Sequence, residues 1–428
     1  MHKNTHKISF PAVRWCLAAF ALASALVLLA QGGDIPPGKI EIGKMNPPGL
    51  LVDKYSYMAQ PYNFYYFHHM DELGFRTDWV RKPDAVYPLK EPVSEFSLKY
   101  SLHGSQYSLG DYLQRNYVTG FLVLHEDQII FEKYLHGADR NSRFVSQSVG
   151  KSIASILVGV AISDGKIHSI DDPVDKYLPY LGSSGYRGVT IKNLLEMATG
   201  VDYSEDYRDP HSGAALIGGA LLTGNPTFHD FAAAMKTTNV KAGTKFNYQS
   251  VNTQVLGLLL EKVTGKRLNQ YAEEKLWKKI GAQSDAFFYE SKKQPDTCAF
   301  ACFNATVRDY ARVGLMMMRG GILGNERVVP AAWVHDSTTP GADFLKPGAL
   351  GEMGGPLGYA YQWWIPPGDD GAFEAEGIYG QSIYVNPKMD VVIVQTSAWP
   401  EALGGGPKLY EENDLVQQLI AHAVGSNQ

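Results

Sequence analysis

The segment VSQSVGKSIAS, residues 145–155, decides the fold because it holds two overlapping motifs that belong to different kinds of protein. Its GKS tripeptide, which begins at Gly150, matches the end of a phosphate-binding loop, whereas Ser148 and Lys151 match a Ser-x-x-Lys nucleophile. A phosphate-binding loop needs another glycine five residues before Gly150, where this chain has the β-branched Val145. The segment therefore argues against nucleotide binding and in favour of the nucleophile.

A helix that begins at Ser148 would place the nucleophile in a useful position. Residues i and i+3 share one face of a first helical turn, so the Ser148 hydroxyl can touch the Lys151 amine. The N–H group at a helix start is free to stabilise an oxyanion, and a buried lysine can accept a proton near neutral pH because it loses basicity. A second Ser-x-x-Lys, Ser163 to Lys166, lies beside Gly165 at the end of the same predicted helix, where this geometry is absent.

Two further segments offer partners for this pair. In FNYQSVN, Tyr248 precedes a predicted buried helix, and a phenol beside serine and lysine can relay a proton to a leaving group. In EAEGIYGQSIYV, glycines lead into a predicted strand whose backbone N–H groups can donate to an oxyanion. Taken singly, such a tyrosine is usually a packing residue of the core, and such glycines usually form a turn. The catalytic interpretation of both segments therefore depends on the presence of Ser148 and Lys151.

The pattern of apolar residues predicts an α/β (α+β) fold. Paired β-rich runs around residues 125–127 and around Asn386 predict two hairpins, one on each side of a helix-rich region. In that region KSIASILVGVAISDG predicts a helix that is buried all round, and further helices are predicted to end at Gly200 and Gly265. We therefore expect an antiparallel sheet flanked by helices, with an all-helical insert at about residues 165–310.

The composition is that of an ordinary globular protein. The 428 residues are 45% apolar and 19% charged, with a net charge of −5 and no basic tract, so nucleic acid is not an expected partner. The 25 tyrosines and 7 tryptophans fit an aromatic-lined cleft. Neither HExxH nor CxxC occurs, so no metal or cofactor is predicted, and the absence of GxSxG argues against a conventional Ser-His-Asp hydrolase.

The chain begins with the features of an export signal. Basic residues precede a largely apolar run at residues 15–30, which predicts a signal peptide over residues 1–30 and an exported, periplasmic or secreted protein. An uncleaved anchor that associates with the membrane through this run is the alternative. Residues 31–95 are rich in proline, tyrosine and polar side chains and predict an arm extended on the surface of a domain that occupies residues 96–428.

Two groups of reactive side chains have a structural as well as a chemical interpretation. The segment HHMDE, residues 68–72, has the residue types of a metal cluster, but we expect it to form a solvated turn. We expect Cys298 and Cys302, in the segment CAFAC, to be two buried thiols, and a disulfide that forms after export is the alternative.

Taken together, SVGKS, YQS and EGIYGQ occur in the order and spacing of the serine β-lactamase-like family, which this chain resembles over about residues 117–400. That family also holds penicillin-binding DD-peptidases and many esterases. Within it, DYSEDYRDP, YQWW and GIYGQSIYVNPKMDVVIVQTSAWP are most similar to the 6-aminohexanoate-dimer hydrolase branch. The resemblance implies the family's sheet sandwich with a helical insert.

The resemblance also implies a role for individual residues. Ser148 would be the nucleophile, Lys151 its general base and Tyr248 the proton relay to the leaving group. The backbone N–H groups of Ser148 and Ile378 would form the oxyanion hole. No cofactor is implied.

Substrate-contacting positions both match and depart from the branch. Tyr203 and Trp364 match positions that contact substrate, whereas Tyr379 stands where the branch has a histidine, and Ser250 ends a motif that lactamases end with asparagine. Ala375 stands where lactamases carry a lysine or histidine that grips a substrate carboxylate. We therefore expect a small, uncharged ester or linear amide as substrate, with a DD-peptidase or weak β-lactamase, and a non-catalytic binding protein of the same fold, as alternatives.

Overall fold

The computed structural model describes residues 57–91, 96–404 and 407–425. The predicted signal peptide and the first part of the predicted arm lie outside the described residues. Within these three ranges, no helix is both long enough and apolar enough to cross a membrane.

The described strands pair in antiparallel fashion and form one seven-stranded, one four-stranded and two two-stranded sheets. In chain order the strands are β1 Arg76–Val80, β2 Lys99–Leu102, β3 Ser105–Ser108, β4 Val118–His125, β5 Gln128–Tyr134, β6 Phe144–Val145, β7 Ala286–Glu290, β8 Phe303–Ala305, β9 Ile322–Leu323, β10 Glu326–Arg327, β11 Gly358–Tyr359, β12 Trp364–Ile365, β13 Phe373–Gly377, β14 Gln381–Asn386 and β15 Val391–Ser397.

Helices cover the sheets and fill the middle of the chain. In chain order the α-helices are α1 Asn63–Tyr66, α2 Leu109–Arg115, α3 Val149–Ser163, α4 Ile191–Leu195, α5 Gly213–Thr223, α6 Phe228–Ala233, α7 Ser250–Thr264, α8 Leu268–Ala272, α9 Val307–Met318, α10 Ala331–Ser337 and α11 Pro407–Gly425. Short 3₁₀ turns lie at Met70–Leu73, Val174–Lys176, Pro179–Ser183 and Asp343–Leu345, and a π-turn at Glu273–Trp277 follows α8.

The seven-stranded sheet joins the two ends of the domain. Its order is β11-β12-β13-β14-β15-β4-β5, so the predicted hairpins β4–β5 and β14–β15 are confirmed and become neighbours through the β15–β4 pair. Helix α9 packs on one face, and α11 with α2 packs on the other. The predicted antiparallel sheet flanked by helices is therefore confirmed.

Helix α3 is the buried helix that the sequence predicts. All residues from 149 to 161 are buried, including both glycines. A Cβ at Gly159 would lie 2.5 Å from the Trp333 ring, so only glycine allows α10 to approach this closely. The small side chains along α3 thus let it lie inside the domain.

Part of the predicted surface arm is a core element. Phe64 and Phe67, in and just after α1, are buried, and β1 forms the edge of the four-stranded sheet β1-β7-β8-β6. Residues 57–80 therefore do not lie on the surface as an extended layer, because their aromatic side chains gain free energy by leaving water and β1 hydrogen-bonds to β7.

His68 also differs from the expectation of a solvated turn. Its side chain is buried, with its ring centroid 5.6 Å from that of Phe144 and 4.4 Å from that of His69. Burial, with a smaller effect of His69, lowers the pKa of His68 to about 3, so the imidazole is neutral in the core.

The predicted insert is not purely helical. Helices α4 to α8 lie within residues 165–310 as expected, but β7 and β8 lie there too and join the sheet that β1 begins. Strand β7 pairs with β1, which lies about two hundred residues earlier, so no local pattern could identify it as a sheet member. Near its end, the insert carries a disulfide between Cys298 and Cys302 rather than two free thiols.

Candidate active site

Ser148 lies at a sharp turn between β6 and the buried helix α3. Gln147 has a left-handed φ of 44°, which redirects the chain so that Ser148 becomes the N-cap of the helix. The Ser148 hydroxyl makes no capping bond to the backbone. It is therefore free to interact with Lys151 one turn along the helix.

Ser148 and Lys151 form a direct, buried pair. The Lys151 Nζ donates hydrogen bonds to Ser148 Oγ at 2.7 Å and to the carbonyl oxygen of Phe300 at 3.0 Å. The Lys151 side chain is 1% exposed and Ser148 is 8% exposed. The i, i+3 contact that the sequence predicts is confirmed.

The surroundings of Lys151 suit a base at neutral pH. Burial lowers the pKa of Lys151 to about 8, although the nearby Glu205 carboxylate acts in the opposite direction. The Nζ also lies 5.1 Å from the centre of the Tyr248 ring and 5.7 Å from that of Phe300. A substantial fraction of the amine is therefore neutral near pH 7 to 8 and able to accept a proton.

Tyr248 lies two residues before α7, and its phenol interacts with the Ser148 side chain. Burial first, and then the negative charge of Glu205, raises the pKa of Tyr248 well above 10. Its phenol is thus protonated at neutral pH. This protonation state suits a proton donor or relay.

The end of β13 closes the site on the side of the nucleophile. A Cβ at Gly377 would lie 2.9 Å from the Ser148 backbone nitrogen and 2.8 Å from the Ser146 carbonyl oxygen. The residue after Gly377 is Ile378, so the segments that carry its N–H group and that of Ser148 meet at one corner. Such a corner is where an oxyanion hole would form.

The three predicted substrate contacts differ in their placement. Trp364 stacks on Tyr248 with ring centroids 5.4 Å apart and an interplanar angle of 22°. Tyr203 is buried beside Glu205, in the segment next to the site. Tyr379 instead packs its ring edge-on against Phe67, with centroids 5.2 Å apart.

Several groups near the site carried no functional prediction. The Phe300 carbonyl oxygen accepts a hydrogen bond from Lys151, and nothing in the surrounding CAFAC segment predicts this contact. Glu205 lies in the DYSEDY segment, of which only the tyrosine at position 203 was singled out. Phe246 and Tyr359 pack around Tyr248 and Trp364 and extend the aromatic wall.

Within the described ranges, one group of residues has the donors and spacing that a metal ion needs. The carboxylates of Glu374, Glu376 and Asp414 lie within 4.8 Å of one another, between β13 and α11. These residues are distinct from Ser148, Lys151 and Tyr248, and the arrangement at those three residues requires no metal ligand.

The antiparallel sheet, the buried helix beneath it and the serine–lysine pair at its first turn define a serine hydrolase of the β-lactamase fold. The Beta-lactamase family model matches residues 114–417, and the chain therefore belongs to that family.

Relatives with known names agree with this assignment. The 6-aminohexanoate-dimer hydrolase of Paenarthrobacter ureafaciens is 32% identical over 357 residues, which are 81% of this chain and 88% of that protein. A solved Bacillus anthracis structure titled as a 6-aminohexanoate-dimer hydrolase superposes with a TM-score of 0.78 at 25% identity, over 90% of this chain and 100% of that one. A penicillin-binding protein from Bacillus halodurans shares the fold, with a TM-score of 0.57 at 17% identity, over 73% of this chain and 99% of that one.

Proposed function

We propose that this protein is an exported serine hydrolase that cleaves an uncharged ester or linear amide through an acyl-Ser148 intermediate. The observation that carries the proposal is the 2.7 Å contact between the Ser148 hydroxyl and a lysine whose pKa burial lowers to about 8. A serine is a weak nucleophile unless an adjacent base takes its proton, and Lys151 is that base.

Acylation follows from the positions of these groups. Neutral Lys151 takes the proton of Ser148 as the serine oxygen attacks the substrate carbonyl carbon, and the oxygen of that carbonyl becomes an anion facing the Ser148 and Ile378 N–H groups. Tyr248 then donates its phenolic proton to the leaving alkoxide or amine and regains a proton from the Lys151 ammonium. The bond to the leaving group breaks, and the acyl group remains on Ser148.

Deacylation uses the same groups in reverse. A water molecule that enters after the leaving group has departed gives a proton to neutral Lys151 and attacks the acyl carbonyl carbon. The bond to Ser148 breaks, the serine oxygen recovers its proton from Lys151, and the carboxylic acid product leaves. Each residue returns to its starting protonation state.

The walls of the site support an uncharged substrate. Ala375 is buried and carries no group that could pair with a carboxylate. The Trp364 ring stacks on Tyr248, and the centre of the Phe300 ring lies 5.7 Å from Lys151 Nζ, so the site is lined by aromatic side chains. The similarity to the Paenarthrobacter hydrolase supports a linear amide as one substrate class. Export is supported by the amino-terminal sequence and by the disulfide, since disulfides persist mainly in oxidising compartments.

The test is turnover of a short p-nitrophenyl ester and of a linear amide by the full chain, beside Ser148→Ala, with intact-mass analysis of quenched reactions. We expect an acyl adduct on the wild-type protein and a loss of at least about 10³-fold in kcat for Ser148→Ala. Equal rates for the two proteins would contradict the proposal. Labelled penicillin tests the DD-peptidase or β-lactamase alternative in parallel, and a binding protein of this fold would give neither turnover nor adduct.

A further inference from the structure

We infer that Glu205 is a positioning residue of this site, which holds the segment bearing Tyr248 and supplies the negative charge that faces Lys151. The inference deepens the proposed function, because it names a fourth residue on which the serine–lysine–tyrosine arrangement depends. Glu205 is 3% exposed, so its carboxylate must satisfy its oxygens within the protein.

The carboxylate of Glu205 is held at the first turn of α7. Its Oε2 accepts a hydrogen bond from the Ser250 backbone N–H at 2.8 Å, and its Oε1 accepts from the Ser250 hydroxyl at 2.5 Å. The Tyr207 hydroxyl donates to the same Oε1 at 2.8 Å. The N-cap residue of α7, Gln249, makes no side-chain capping bond, so Glu205 provides the anion that this helix end favours.

The residues on either side of Tyr248 are bonded back to the segment that carries Glu205. Asn247 Nδ2 donates to the Tyr203 carbonyl oxygen at 3.3 Å, and Gln249 Nε2 donates to the Val201 carbonyl oxygen at 2.8 Å. Because Ser250 is held by Glu205 itself, the chain is fixed immediately before and after Tyr248. These bonds fix the backbone on both sides of the residue that carries the phenol.

Glu205 also acts on the site through its charge. It is the carboxylate that favours the ammonium form of Lys151, and it favours the protonated phenol of Tyr248. Lys151 otherwise faces the Ser148 hydroxyl, the Tyr248 ring and the Phe300 carbonyl, none of which carries a formal charge at neutral pH.

Other ionisable groups act on the pKa of Tyr248 without acting on that of Lys151. Glu376 and Tyr410 also raise the pKa of Tyr248, and buried Tyr203 and Tyr359 lie beside Glu205. Among these groups of the described chain, Glu205 is the one whose charge acts on both Lys151 and Tyr248. Removing its charge while keeping its size should therefore change the protonation of the general base.

The test compares the full-length wild type with Glu205→Gln, Glu205→Asp and Ser250→Ala. The first reading is the titration of the Lys151 amine by NMR of lysine labelled with ¹³C at Cε, with Lys151→Met to assign the signal. We expect Glu205→Gln to move this titration to lower pH by about half a unit to one unit. Glu205→Asp and Ser250→Ala keep the carboxylate and should stay within about 0.2 units of the wild type.

The second reading is kcat/KM for the p-nitrophenyl ester against pH, which rises on its acid side as Lys151 loses its proton. In Glu205→Gln the acid side of this profile should move to lower pH by the same amount as the NMR titration. In Glu205→Asp it should stay at the wild-type pH. An unchanged Lys151 titration in Glu205→Gln would overturn the inference whether or not the ester is hydrolysed. Failure of the wild type to form an adduct would instead overturn the proposed function, because the NMR titration needs no turnover.

Discussion

At the scale of single residues, burial separates the roles of Lys151 and Tyr248. Loss of hydration disfavours the charged form of each group, so it lowers the pKa of the lysine amine and raises that of the phenol. One side chain thereby becomes a base near neutral pH and the other stays a proton donor. The same physical effect therefore favours the neutral form of both side chains, which suits the amine to accept a proton and the phenol to donate one.

Gly377 offers a test of the corner between β13 and the nucleophile. In Gly377→Ala, the new methyl group would press on the Ser146 carbonyl and the Ser148 nitrogen, 2.8 and 2.9 Å from its ideal position. We expect kcat/KM for the ester to fall about 10²-fold, as for the loss of one oxyanion donor, with the pH dependence unchanged. Gly219→Ala is the matched control, since no atom lies within 4 Å of a Cβ there. Wild-type activity in Gly377→Ala would show that this contact is not needed.

At the scale of elements, the site depends on how the CAFAC segment packs against α3. The disulfide between Cys298 and Cys302 closes a short loop around Phe300, whose carbonyl oxygen accepts the Lys151 hydrogen bond. The same loop is held from α7, where Gln254 Oε1 accepts from the Ala299 N–H at 3.0 Å. A loop from the end of the insert is thereby fixed beside the first turn of α3.

The double variant Cys298→Ala, Cys302→Ala tests this loop. A short crosslinked loop constrains the unfolded chain, so its removal should lower the free energy of unfolding by about 2 kcal/mol in urea titrations. A reductant should lower the wild-type midpoint towards that of the variant and leave the variant unchanged. If the oxidised wild type and the variant unfold at the same urea concentration, the crosslink does not stabilise the fold.

At the scale of the whole molecule, three carboxylates meet where the central sheet packs against the C-terminal helix: those of Glu374, Glu376 and Asp414. Among the residues that the structure describes, no basic side chain acts on the pKa of any of them. Burial, followed by repulsion from Asp414, raises the pKa of Glu376 to about 8. The native protein therefore holds a proton there that the unfolded chain loses above about pH 4.5. The stability that this proton contributes is present below pH 4.5 and is lost as the pH rises to about 8.

Glu376→Gln should remove this pH dependence. We expect the variant to gain about 4 kcal/mol in free energy of unfolding relative to wild type at pH 8, and little at pH 4.5, by urea denaturation at each pH. Glu352→Gln, at an exposed carboxyl, should follow the wild-type curve. An equal change at both pH values would contradict the linkage and indicate a simple packing effect.

Much of the fold and of the site was predictable from local sequence. The hairpins have alternating β-rich runs around polar turns, α3 is apolar on nearly every side, and the i, i+3 spacing of Ser148 and Lys151 at the start of that helix predicts their contact. The strand β7 and the buried His68 were not predictable, because each depends on a partner far away in the chain. Glu205 was missed because a carboxylate in a polar segment looks solvated until its tyrosine and serine donors are known.

The sequence by itself determined the nucleophile motif, the two hairpins and the buried helix, because each depends on residues close together in the chain and on the repeat of one local structure. Only the tertiary structure decided that Phe64 and Phe67 belong to the core, that a loop carbonyl and Glu205 act on Lys151, and that Gly377 meets Ser148. These arrangements join segments separated by tens to hundreds of residues. The free energy that stabilises these contacts, and the pKa shift of Lys151, come from burial and the loss of water around the side chains. That loss of water occurs only when the segments have packed together.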